Sequence, residues 1–180
     1  LHQLKLLSLP SCGLTDEHLE RISICGSSSS SAAAAVEQGE TISQNGHHPL
    51  TTLVLTWNQN ITNRGLDSFL KYFDELEEVR LDFCMQISDL SVFRKMKRLE
   101  RLYLGVCSAL TDSSFRAFTI NDNNDDNNNN NNSIKDIFPK LRTLHVTGCS
   151  NLSEQFIIYM SQNTNVTNNL QTFWFSTASA

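Results

Sequence analysis

Five cysteines carry the most reactive side-chain chemistry in this chain, and their spacing decides what they are for. A zinc site needs clustered ligands, such as Cys-x-x-Cys or paired Cys and His, and no such cluster occurs. A reactive thiolate needs a neighbour that lowers its pKa, and no helper stands beside these. Cys12, Cys84, Cys107 and Cys149 instead occupy one position of a recurring pattern. That recurrence reads as small buried hydrophobes in a reducing compartment, cytosol or nucleus, rather than a disulfide framework. Cys84 and Cys107 fall in adjacent copies, but parallel Cβ directions disfavour a bond between them. Cys25 is expected to pack near a helix end.

Other chemistry-bearing residues read as loop or surface. His47-His48 lacks acidic or Cys partners. The Asn/Asp tract from Asn121 lacks the central Gly and terminal Glu of a calcium loop. Glycosylation sequons begin at Asn60, Asn151 and Asn165, and the first two of these place Ile61 and Leu152 where a buried residue is expected. Glu75, Glu77 and Glu78 form a surface run beside Arg80. No nucleophile elbow, His-Glu-x-x-His, P-loop or dinucleotide fingerprint is present, so no catalytic residue, metal or cofactor is expected and the chain reads as a non-enzyme. A net charge of −5 disfavours nucleic acid, and no apolar run is long enough for a membrane span.

The elements that position these residues come from a repeat. The pattern apolar-x-x-apolar-x-apolar-x-x-Cys/Asn occurs at Leu4/Leu7/Leu9/Cys12, Leu50/Leu53/Leu55/Asn58 and Leu76/Val79/Leu81/Cys84. It returns at Leu99/Leu102/Leu104/Cys107 and Leu141/Leu144/Val146/Cys149, and a sixth copy, Leu170/Phe173/Phe175, ends at Ala178. With 39% hydrophobic residues, chance would fill every anchor on the order of once in ten million trials.

Each complete copy is followed by an apolar residue, Ser or Thr, then Asp, Asn or Glu: Leu14-Thr15-Asp16, Ile61-Thr62-Asn63, Ile87-Ser88-Asp89, Leu110-Thr111-Asp112 and Leu152-Ser153-Glu154. The hydroxyl suits a helix N-cap and the acid suits the macrodipole. Leu19, Leu66, Val92, Phe115 and Ile157, then Ile22, Phe69, Met96, Phe118 and Met160, form the expected inward stripe of a short amphipathic helix. Each unit therefore reads as strand, turn and capped helix, and stacking is needed to bury both faces.

The Cys/Asn positions are 46, 26, 23 and 42 residues apart. The two long spacings each hold a repeat plus a low-complexity insert, at about 26–48 and 119–134, expected to be disordered.

The unit resembles the cysteine-containing subtype of leucine-rich repeat, with Leu104-Gly105-Val106-Cys107-Ser108-Ala109-Leu110-Thr111-Asp112 its cleanest stretch. The resemblance covers nearly all the chain outside the inserts. It implies an α/β leucine-rich-repeat solenoid of about six repeats, a curved parallel sheet on the concave face and short helices on the convex face. Cys12-Gly13-Leu14-Thr15 is one residue shorter and is similar to the ribonuclease-inhibitor-like subtype, while Asn58 takes the Cys place in the second copy. F-box proteins carry the cysteine-containing subtype. Their repeats capture a substrate, and a separate F-box docks the adaptor of an SCF-type ubiquitin ligase. These residues contain no F-box-like segment.

In such a ladder the residues between anchors line the concave face. The row reads Ser8, Val54, Arg80, Tyr103, His145 and Trp174, flanked by Trp57, Asp82, Phe83 and Arg101. Six strands make it about 24 Å long, and aromatic and Arg residues are the types enriched at binding hot spots. The leading expectation is a protein-binding module, the substrate-recognition repeats of an F-box-type receptor. The alternatives are a ribonuclease-inhibitor-like regulator of GTPase-activator or sensor type, or an extracellular receptor fragment. Leu1 begins mid-pattern and Ala180 ends one strand, so residues 1–180 are expected to be a segment of a longer repeat domain.

Overall fold

A computed structural model of the chain describes residues 3–27, 49–118, 138–162 and 168–176. They form an α/β fold around one six-stranded sheet whose strands all run parallel, in sequence order. The strands are β1 (Leu6–Ser8), β2 (Thr52–Val54), β3 (Glu78–Arg80), β4 (Arg101–Tyr103), β5 (Thr143–Thr147) and β6 (Thr172–Ser176). Successive strands are separated by α1 (Asp16–Ser27), α2 (Asn63–Leu70), 3₁₀ helices over Ser91–Lys95 and Asp112–Phe118, and α3 (Glu154–Gln162).

The register follows the anchors. Leu7, Leu53, Val79, Leu102, Leu144 and Phe173 pair in one row across the sheet. Anchors of the four middle units are fully or almost fully buried, in one core with Leu19, Leu66, Phe69, Phe93, Phe115 and Phe156. Each such side chain gains roughly 1.5–3 kcal/mol from burial. Leu4, Leu7, Leu9, Leu170 and Phe175 are only partly buried, and Phe173 is 40% exposed, because the outer strands have a neighbour on one side alone.

The Cys/Asn position works as a hydrogen-bonding rung between units. Cys84, Cys107 and Cys149 are buried, and their thiols donate to the carbonyls of Leu55, Leu81 and Leu104 at 3.2–3.3 Å. Asn58 makes the equivalent bond to Leu9 O at 2.8 Å and also accepts from Cys12 N and Leu14 N. Cys12 does not share this burial. It is exposed, and its thiol donates to nearby Pro10 O, because the first unit has no earlier strand against it. Burial pushes the Cys84 thiol up to about 11 and raises Cys107 and Cys149 as well.

One residue before each rung, the backbone is left-handed in all five units: Ser11, Trp57, Phe83, Val106 and Gly148 have φ between 53° and 70°. Only Gly148 adopts this without a side-chain penalty, and Val106 is β-branched. The conformation lets each N–H reach the next unit, as in Trp57 N to Asp82 O and Val106 N to Thr147 O. Continuing the ladder past the strand ends is what holds these residues there.

Several local expectations are corrected. The third and fourth crossovers are 3₁₀ rather than α-helical. For the third, the 23-residue spacing from Cys84 to Cys107 leaves a short path back to the sheet, and a 3₁₀ turn covers about 2.0 Å per residue against 1.5 Å. Ser88 does not cap its helix: Leu90 holds the cap position, and Asp89 before it accepts from Ser91 N at 2.8 Å. Ile157 is exposed and Phe156 is buried in its place, while Met160 is buried as expected. Thr62 and Ser153 do cap, accepting from Arg64 N and Gln155 N. Both sequons' middle residues, Ile61 and Leu152, are buried. The expected insert at about 26–48 overlaps the end of α1 at residues 26 and 27; its remainder, the insert at about 119–134, His47-His48, the Asn/Asp tract, the Asn165 sequon, Ala178 and the side chains of Cys25 and Phe118 lie outside what is described.

Candidate functional site

The alternation of side chains along a strand sends the anchors into the core and leaves the intervening positions on the open face. Ser8 pairs with Val54, Val54 with Arg80, Arg80 with Tyr103, Tyr103 with His145 and His145 with Trp174. These residues therefore stand in one row, one per strand. Glu78, Arg101 and Thr143 form a parallel row on one side. Asp82, Gly105 and Thr147 continue the same alternation beyond the row's other side.

At the centre, Glu78 is shared by two guanidinium groups. Arg80 Nε donates to one carboxylate oxygen, and Arg101 Nε donates to the other at 2.8 Å. The Glu78 side chain is only 12% exposed, so it is not the solvated surface run expected beside Arg80. Partial burial alone would raise its carboxyl, but the hydrogen bonds and charges of Arg101 and Arg80 outweigh that and hold it below the usual value. Arg80 also places its guanidinium 4.5 Å from the Tyr103 ring centre, within cation–π range.

Tyr103 meets His145 edge-on at 6.0 Å, and His145 meets Trp174 edge-on at 6.3 Å. Trp174 is 59% exposed. Trp57 and Phe83 stack at 3.7 Å with planes 10° apart, and Trp57 is 49% exposed. They stand in the left-handed row beside this face, so they form a separate aromatic ledge rather than part of the Arg80–Trp174 row.

Two residues of this face escaped the sequence reading. Thr147 Oγ1 lies 2.7 Å from His145 Nε2, and Gly105 N donates to Asp82 Oδ1 at 2.8 Å. Thr147 was findable as the next outward position of the same strand. Gly105 signals itself only through what a Cβ would strike, 2.7 Å from Asp82 Oδ1.

Together the row offers flat aromatic area, two fixed guanidinium groups and a polar node at His145, which suits contact with another macromolecule's surface. Among the described residues, no group of three or more His, Cys, Asp or Glu is placed to hold a metal ion. No described helix is long and apolar enough to cross a membrane. Neither a protein-family model nor a curated protein matches the chain.

Proposed function

We propose that the chain is a leucine-rich-repeat segment of the cysteine-containing subtype, stacked as a solenoid, and that it is a protein-binding module. The observation that carries this is the unbroken register Arg80–Tyr103–His145–Trp174, which lines up three hot-spot-type side chains and a histidine on four adjacent strands. The thiol and amide rungs at Asn58, Cys84, Cys107 and Cys149 support the subtype, since one hydrogen bond recurs at each unit junction.

The partner is another protein seated on the open face across Arg80, Asp82, Arg101, Tyr103, His145 and Trp174, with Trp57 and Phe83 as a flanking ledge. On the resemblance, the narrower reading is substrate capture by an F-box receptor of an SCF-type ubiquitin ligase, in the cytosol or nucleus. Pull-down of the full-length protein is the test of that version, with the ligase adaptor expected in the eluate. Its absence ends the ubiquitin-ligase reading. The broader reading ends if a photo-crosslinker at Tyr103 captures no protein that one at the helical-face residue Ser91 fails to capture.

A further inference from the structure

Asp82, Gly105, His145 and Thr147 form one chain of polar contacts across β3, β4 and β5 and their continuations. Gly105 N donates to Asp82 Oδ1 at 2.8 Å, the same oxygen lies 3.6 Å from His145 Nδ1, and His145 Nε2 is 2.7 Å from Thr147 Oγ1. We infer that Asp82, reaching across Gly105, is a positioning residue that holds neutral His145 as its Nδ1–H tautomer and makes Thr147 an acceptor-only hydroxyl, so that this part of the face fits a hydrogen-bond donor on a partner protein.

A carboxylate has only acceptors, and the Gly105 N–H fixes which way this one points. A proton on Nδ1 is drawn toward Asp82, whereas a bare Nδ1 lone pair would face it in repulsion. With the proton on Nδ1, Nε2 is bare and must accept, which makes the Thr147 hydroxyl the donor at 2.7 Å. The hydroxyl proton is then committed, and the remaining Thr147 lone pairs can only accept. An acceptor-only oxygen near a carboxylate, beside Tyr103 and Trp174, matches an amide N–H or ammonium group and repels an anion.

Gly105 makes the reach possible. A Cβ there would lie 2.7 Å from Asp82 Oδ1, so the carboxylate would have to swing away and the link to His145 would be lost.

The partner chemistry rests on the protein-binding reading, but the tautomer does not, and it is testable on the free chain. Heteronuclear NMR distinguishes protonated from bare ring nitrogens, and a His145→Gln spectrum assigns the signal. At a pH where imidazoles are neutral, Nδ1 is expected protonated, with a slowly exchanging Thr147 hydroxyl proton coupled to bare Nε2. Asp82→Asn and Gly105→Ala are expected to shift His145 toward the Nε2–H form with the other histidines unmoved. An Nε2–H tautomer in the native chain overturns the inference, as does a tautomer unchanged in both variants. Failure of the tautomer with intact Tyr103 crosslinking would leave the binding reading standing, and the reverse result would leave the tautomer standing.

Discussion

The carboxylate of Asp16 accepts both the backbone N–H and the hydroxyl of Thr62, at 2.8 and 2.6 Å, across 46 residues of sequence. Asp112 does the same for Ser153, while Asn63 accepts from Ser88 N and donates its amide to the Ser88 hydroxyl. At these three helix starts the acid or amide is thus a tie between units. Asp89 instead turns its carboxylate to Ser91 N and the Ser91 hydroxyl of its own unit.

Asp16→Ala leaves a backbone donor and a hydroxyl of Thr62 without their charged partner. A loss of roughly 1.5–3 kcal/mol is expected in urea unfolding, since hydrogen bonds to charged groups are worth that much. Gly65→Ala tests the same tie from the other side, because its Cβ would fall 2.3 Å from Asp16 Oδ1 and 2.7 Å from Asp16 Cα. A cost of about 1–3 kcal/mol is expected from that overpacking. A neutral Gly65→Ala would mean that α1 and α2 are further apart than described.

Asn58 does more than a cysteine could at its position. Its amide donates to Leu9 O and Leu55 O and its oxygen accepts from Cys12 N and Leu14 N. Asn58→Cys keeps the bond to Leu9 O but leaves two backbone N–H groups without an acceptor. A destabilisation of about 2–4 kcal/mol is expected, with Asn58→Ala at least as severe. Cys107→Ala, which removes one weak thiol bond and little volume, is expected to cost about 1–2 kcal/mol. The reverse order in calorimetry would contradict the rung assignment.

Thiol reactivity separates Cys12 from the other three described cysteines. In a Cys25→Ser background, a neutral-pH alkylating reagent is expected to modify Cys12 first and to reach Cys84, Cys107 and Cys149 only with unfolding. The raised thiols also set an alkaline limit. An unfolded Cys84 ionises near 9.0, while the folded one keeps its proton to about 11. Between those values the folded state binds more protons, so stability falls as pH rises through that window. Cys84→Ala is expected to flatten this part of the stability–pH curve.

Much of the fold was legible in the sequence, and the failures have separate physical causes. The anchors determine register because a one-residue slip would turn every Leu from core to solvent. The class of each crossover was not legible, since a Ser/Thr-Asp start suits α and 3₁₀ turns alike and the space left by neighbouring units decides. α3 shows the same effect: Ile157 fits the stripe by counting, but Phe156 is the larger group and takes the core position beside Phe115. The left-handed row was invisible because Trp57, Phe83 and Val106 are residue types that rarely adopt it, while Gly148 alone carries the usual signal. At the candidate site, the row of outward residues followed from alternation. The Gly105 reach did not, because it depends on two side chains from different strands.

Glu78 is the charged centre of the open face, and its removal exposes how the two arginines are held. Glu78→Gln keeps the volume but withdraws the charge shared by Arg80 and Arg101. Both guanidinium groups are more than a third exposed, so water softens the loss and about 1 kcal/mol is expected. The native carboxyl is held low, so its contribution is present above its unfolded value of 4.5 and disappears as pH falls through the folded one. The difference in stability between native chain and variant should therefore shrink in acid. A gap that stays constant through that range would remove the shared-carboxylate assignment.

Tyr103 and Trp174 flank His145 in the open row, Tyr103 half-buried and Trp174 exposed, and neither belongs to the buried core, so truncating them removes recognition area with little core. If the face binds protein, Tyr103→Ala with Trp174→Ala should weaken a crosslinked partner by at least 2 kcal/mol, about thirtyfold, as paired hot-spot losses do. The unfolding midpoint should move little, because Trp174 sits on an outer strand and the Tyr103 ring packs against Arg80 and His145 rather than in the core. Trp57→Ala offers the internal comparison. It removes a ring of similar size from the separate ledge against Phe83, so it should affect binding less than the double change if the row is the contact surface. Equal losses would move the interface to the turn side of the sheet, and unchanged affinity in all three would take it off the open face altogether.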